Sequence, residues 1–263
     1  MDMGKTKEFL KERFRTPYVL DIGTGLGGLV NEFLEIFPEG NFVGIESDET
    51  VFEHYKKHGE EPAFEIKIMD AEKMGFEDNS FDIVILSNTF HHIKNKEKIF
   101  DEIKRVLKDD GVFILGEMRS DDLSQKQKNH RDLHHLSAEI DMHNGIYHEK
   151  TYTEEEIVDF VSDYFDVLLT DYLDYERDVS DYADMVNKLR DILDKKIDNL
   201  DINTDEKNAL SNKSDEILEN ILENGKDIPT MVILTLKKWI YYLKRWFHMK
   251  SSFYNITSKS PFL

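Results

Sequence analysis

Residues 18–30 read YVLDIGTGLGGLV. An apolar run at 19–22 ends in a glycine-dense turn, Gly23, Gly25, Gly27 and Gly28, and an apolar-periodic stretch follows through Leu29, Val30, Phe33, Leu34 and Phe37. That pattern is strand, tight turn, helix. Glycine permits positive φ and leaves no Cβ between the loop and a ligand. The first turn of the helix points free N–H groups into the same space. The spacing fits a dinucleotide fingerprint, Gly23-x-Gly25-x-x-Gly28, and equally a nucleoside-binding variant, Gly23-x-Gly25-x-Gly27; the glycines alone do not choose.

Working outward, strands and helices alternate. A lead-in helix is expected at 6–14. Strands are expected at 18–22, 41–46, 64–69, 81–87 and 112–117, with helices at 28–37, 49–58 and 96–107 and a turn at 109–111. The run FDIVILS at 81–87 is near-continuously apolar, as a strand buried on both faces requires. The order implies right-handed βαβ units and a parallel sheet. The second half predicts a histidine-rich helix at 123–144 and a helix at 153–164 behind a Thr153/Glu156 capping box. A sixth strand follows at 165–172, then an acidic helical hairpin within 179–224 whose second helix is capped by Asn203 or Thr204. A seventh strand is expected at 229–237.

Composition narrows the function. The 263 residues carry 34 Lys+Arg against 54 Asp+Glu, a net charge of −20, and no cysteine. Such a surface disfavours nucleic acid and anionic membranes. Disulfides, thiolate metal sites and cysteine nucleophiles are excluded. The first residues lack an apolar signal core, and no run is long enough for a transmembrane segment. The expectation is a soluble cytoplasmic protein.

Three carboxylates end the first three strands: Asp21, Glu46 and Asp70. A pyrophosphate would be repelled by that rim. A ligand with a sulfonium, an α-ammonium, a ribose and an adenine would be accepted, which favours S-adenosylmethionine over a nicotinamide dinucleotide. At this point residues 18–118 resemble the class I S-adenosylmethionine-dependent methyltransferases. The matching pieces are VLDIGTGLGG at 19–28, VGIESD at 43–48, IMDAEKMGF at 68–76, FDIVILSNTFHHI at 81–93 and IKRVLKDDGVFILGE at 103–117. The resemblance implies an α/β, Rossmann-like, seven-stranded, mostly parallel sheet with an antiparallel last strand. It implies that Asp21, Gly23, Thr24, Gly25 and Gly27 hold the methionine part. Glu46, with Ser47 beside it, would take the ribose, Asp70 and Ala71 the adenine, and Asn88 would lie near the transferred methyl.

Methyl transfer to a hydroxyl or an ammonium needs a base, and histidines are abundant. His91 and His92 follow the fourth strand; His130, His134, His135, His143 and His148 follow the fifth. On a helix, His130, His134, Ser137 and Asp141 share one polar stripe beside an apolar one of Leu133, Leu136 and Ile140. Three readings stand: a solvated face without chemistry; an acceptor pocket with His92, His134 and Asp141 as catalytic candidates; or a divalent-metal site with His130, His134 and Asp141 as candidate ligands.

The expected organisation is a cofactor core at 1–118, an acceptor-side segment at 119–178, a hairpin insertion at 179–226 forming a lid over the substrate side, a last core strand at 227–238 and an aromatic basic tail at 239–263. The insertion or the tail is a candidate homodimer contact. The leading function is methyl transfer to a small-molecule acceptor at O, N or S, without nucleic acid. The alternatives are a protein side-chain methyltransferase and a non-catalytic nucleotide-binding module.

Overall fold

The computed structural model describes residues 3–47, 49–59, 61–174 and 182–239. The elements are α1 (Gly4–Arg13), β1 (Tyr18–Ile22), α2 (Gly28–Ile36), β2 (Asn41–Glu46), α3 (Thr50–His58), β3 (Glu65–Ile68), β4 (Phe81–Ser87), α4 (Lys96–Val106), β5 (Leu107–Met118), α5 (Gln125–His143), α6 (Glu154–Ser162), β6 (Phe165–Leu173), α7 (Tyr182–Asp198), α8 (Thr204–Asn224) and β7 (Met231–Lys238). The strands form one sheet in the order β3-β2-β1-β4-β5-β7-β6. β1 to β5 run parallel. β7 enters antiparallel between β5 and β6. This is the Rossmann-like sheet expected, with its antiparallel last strand.

β4 sets the layering. Successive strand residues face opposite sides, so Val84 and Leu86 join Phe100 and Ile103 of α4 and Ile157 and Val161 of α6. Ile83 and Ile85 join Leu10 of α1 and Leu29, Val30 and Phe33 of α2. Full burial of one such side chain contributes roughly 1.5–3 kcal/mol, which makes the centre of the sheet the most stable part of the fold. The turn expected at 109–111 is absent. β5 begins at Leu107, and its register with β4 shifts between Phe81↔Leu107 and Ile83↔Val112. Residues 108–111 stand opposite Asp82 alone, so β5 bulges by three residues there.

A third apolar cluster lies off the sheet. Leu133, Leu136 and Ile140 of α5 pack with Val186, Leu193 and Ile197 of α7 and with Leu210, Leu218 and Ile221 of α8. The hairpin is therefore docked on the histidine-rich helix. Local chemistry fixes the ends of these helices. Ser124 and Gln127 cap α5, Thr153 and Glu156 cap α6, and Asn203 and Glu206 cap α8, each as a reciprocal capping box. Among the described residues no helix is long and apolar enough to cross a membrane. Of the tail expected at 239–263, residues 240–263 lie outside the described residues.

Leu136 is fully buried between α5 and the hairpin. Leu136→Ala is expected to lower unfolding free energy by about 3 kcal/mol, read from the urea midpoint at unchanged slope.

Candidate active site

The loop after β1 is clamped to the end of β2. The N–H groups of Gly23 and Thr24 both donate to the Ile45 carbonyl, at 2.9 and 3.1 Å. Gly25 N–H donates to Glu46 Oε2 at 3.0 Å, and Ser47 N–H to Glu46 Oε1 at 2.9 Å. Thr24 Oγ1 donates to Asp21 Oδ2 at 2.6 Å. Two positions require glycine here. Gly23 has φ +65°, and a Cβ on it would lie 2.6 Å from Thr89 Cγ2; a Cβ on Gly44 would lie 2.7 Å from Thr24 Cγ2.

A cavity of ≈ 580 Å³ opens at this sheet edge. Of the residues expected at the cofactor, Gly23, Glu46, Ser47, Asp70, Ala71 and Asn88 line it. Asp21, Thr24, Gly25 and Gly27 do not. Asp21 is 2% exposed, and its Oδ1 is buried without a hydrogen-bond partner. Burial pushes its carboxyl up to about 7, helped by the charge of Glu46 and opposed by the Thr24 hydroxyl. A buried carboxyl oxygen with nothing to accept from, under a wall of two more carboxylates, fits a cationic, ribose-bearing ligand. It does not fit a pyrophosphate. Thr89, Ile93, Ile99 and Tyr147 also line the cavity. Tyr147 carried little sequence signal, since it comes from a segment 54 residues beyond the motif FHHI at 90–93.

The same edge gathers four imidazoles. His91 and His92 occupy a 3-10 turn after β4. Ring centroids are 4.3 Å apart for His91 and His92, 4.1 Å for His92 and His148, and 4.9 Å from His134 to both His91 and His148. His91, 1% exposed, donates from Nδ1 to Glu117 Oε1 at 2.9 Å. His148 donates from Nδ1 to Asp141 Oδ2 at 2.8 Å. Burial, reinforced by the neighbouring imidazoles, lowers His134 to about 3; the same causes lower His92 to about 4, although its side chain keeps an exposed edge. Both are neutral at physiological pH. His92 lines the ≈ 580 Å³ cavity. His148 lines a second one of ≈ 960 Å³, together with Glu139, Glu149, Lys150, Thr151 and Lys213. The cluster is the partition between the two.

The helical stripe is only partly realised. His134 joins the cluster, and Asp141 holds His148 rather than a substrate. His135 turns away, its Nε2 accepting the Thr151 N–H at 3.2 Å. The set His130, His134 and Asp141 is not gathered; among the described residues, the trio whose ring nitrogens lie within 4.8 Å of one another is His91, His92 and His148. Sequence reasoning missed Glu117. Its signal was present: VFILGE is an apolar run ending in a carboxylate, as at Asp21 and Glu46.

Residues 20–115 match a family model described as a methyltransferase domain. The chain is 32% identical over 123 residues to sterol 4-C-methyltransferase strm-1 of Caenorhabditis elegans, covering 45% of this chain and 37% of that protein. It is 30% identical over 137 residues to sterol 24-C-methyltransferase ERG6 of Saccharomyces cerevisiae, covering 50% and 35%. The chain thus spans about a third of the length of these curated relatives. Among solved structures, a SAM-dependent methyltransferase from Methanosarcina mazei superposes with a TM-score of 0.53 at 17% identity, covering 90% of this chain and 99% of that one. The [4+2]-cyclase SpnF superposes with a TM-score of 0.51 at 14% identity, covering 89% and 80%. Likeness at that identity establishes the fold, and a fold does not by itself set the reaction. The motifs in the glycine loop, the strand-end carboxylates and the matched model agree: residues 20–115 form a methyltransferase domain.

Proposed function

We propose that the protein transfers a methyl group from S-adenosylmethionine to a small-molecule acceptor. The observation that carries this reading is the unpartnered, buried Oδ1 of Asp21 beneath a glycine loop whose cavity wall carries Glu46 and Asp70. In the proposed roles, the loop and Asp21 receive the ammonium end, Glu46 accepts from the ribose hydroxyls, and Asp70 with Ala71 borders the adenine. The bound cofactor supplies an activated methyl on a sulfonium with a good leaving group. The chain supplies alignment and exclusion of water. Asn88 and Thr89 border the place of delivery, and neutral His92 presents a lone pair there.

The acceptor reading rests on the ≈ 960 Å³ cavity beyond the histidines. Its lining mixes charged and polar side chains such as Glu139, Glu149, Lys150 and Lys213 with Ala138, Met142 and Tyr152, which suits a small acceptor that pairs an O, N or S centre with some apolar surface. α8 contributes Lys213, so the hairpin is proposed as the acceptor-side cover. A second reading, a carbon acceptor of sterol type, is supported by the names of the relatives. Their alignments cover about half of this chain, which favours the donor half of the proposal over the acceptor half.

Two outcomes test the reading. The folded carboxyl of Asp21 stands above the unbound carboxylate value of 3.8, so the apo fold binds this proton more tightly than the unfolded chain does. The stability it lends is present at low pH and falls as pH rises from about 4 to about 7. A cationic ligand reverses that preference. Binding of S-adenosylmethionine at about pH 6 is therefore expected to release close to one proton, measured by calorimetry in buffers of different ionisation enthalpy. Asp21→Asn should remove the release and weaken binding. Incubation with labelled cofactor and fractionated metabolite extract is expected to place label in a small polar product. Label in a sterol fraction would favour the second reading, and cofactor binding without any labelled product would sink methyl transfer.

A further inference from the structure

The histidine cluster holds three buried polar atoms without partners, Nε2 of His148, Nδ1 of His134 and Oε2 of Glu117. Buried polar atoms in folded proteins are almost always paired, so each orphan needs a reason. The surroundings supply one. His91 and His148 have both committed Nδ1 to a buried or half-buried carboxylate, Glu117 and Asp141. Nε2 is the nitrogen each ring has left. A carboxylate on one nitrogen of an imidazole, with the other nitrogen bare, is the arrangement that orients metal-ligating histidines and raises their basicity. Glu117 is fully buried. Its Oε1 also accepts from the Met118 N–H at 3.0 Å, so Oε2 is the oxygen left without a partner.

We propose that His91, His92 and His148 form a mononuclear site for a divalent transition-metal ion, zinc by preference, supported by Glu117 and Asp141. The three side chains offer ring nitrogens within 4.8 Å of one another. Imidazoles on one tetrahedral ion have nitrogens roughly 3.4 Å apart, so the ion closes a set the fold has already gathered. That gathering is built into the backbone: the Glu149 N–H donates to the His91 carbonyl at 2.8 Å, tying the segment that carries His148 to the turn that carries His91 and His92. An all-imidazole donor set selects zinc-like ions over magnesium and calcium, which take oxygen ligands. Three protein ligands leave a fourth position open, the pattern of a working rather than a purely structural site. His92 faces the cofactor cavity and His148 the acceptor cavity, so that position lies where an acceptor's hydroxyl or carbonyl oxygen would ligate. This last step rests on the methyl-transfer reading; the ion itself does not.

The test uses full-length protein purified without nickel affinity and stripped with a chelator. Zinc is titrated in competition with a chromophoric chelator, and cobalt is followed by its visible absorption. One zinc per chain and an intense tetrahedral cobalt spectrum are expected. His92→Ala removes an exposed side chain and leaves the core intact; it should weaken zinc binding at least about 100-fold and bleach the cobalt bands. Glu117→Gln should weaken zinc binding about 10–100-fold. His143→Ala, an exposed histidine at the end of α5 outside the trio, should change neither. Zinc far below one per chain, or equal affinity in wild type and His92→Ala, overturns the site. Absence of methyl transfer with zinc bound would instead count against the function proposed above.

Discussion

Two N–H groups of the loop after β1 converge on one carbonyl, that of Ile45 at the end of β2. The side chain of the next residue, Glu46, then takes Gly25 and Ser47 from either side. These contacts hold a loop of positive-φ glycines in one shape before any ligand arrives. The candidate cofactor cavity depends on that clamp, because its wall is made of the clamped residues themselves. The same clamp explains Gly44: β2 must let Thr24 lie on its backbone, where a Cβ would lie 2.7 Å from Thr24 Cγ2.

The clamp belongs to a larger constraint. In a parallel sheet the carboxyl ends of the strands share one edge, and ligands bind there. Asp21, Glu46 and Glu117 each stand at that edge, on β1, β2 and β5. Glu46 lines the candidate cofactor cavity and Asp21 is buried out of its lining, while Glu117 orients His91 in the histidine cluster. Placing charges there opposes folding, since a buried carboxylate without full pairing is costly. The apolar sheet centre offsets that cost, with Val84, Leu86, Ile83 and Ile85 all fully buried.

The sheet was legible because its signals are local. FDIVILS at 81–87 appears as β4 over the same residues, and the Thr153/Glu156 capping box starts α6. The bulge at 108–111 was not legible, because Asp-Asp-Gly reads as a turn and only the pairing of Leu107 and Val112 with β4 on either side draws the segment into the strand. The histidine stripe shows the other limit. Helical spacing put His130, His134 and Asp141 on one face correctly. What the helix meets comes from elsewhere in the chain: His91 from the turn after β4 and His148 from beyond the helix against His134, and Thr151 against His135. Periodicity ranks residues within an element and carries no information on what that element meets.

By itself the sequence determined the sheet, its antiparallel last strand, the glycine loop and the strand-end carboxylates, because glycine torsion, period-2 burial and strand ends are set within a few residues of chain. Tertiary structure decided that Asp21 lies under the cavity rather than in it, that the hairpin docks on α5 through Leu136, and that His91, His92 and His148 face one another. Those outcomes depend on which surfaces pack together, and packing is settled by the burial of apolar area summed over elements far apart in the chain.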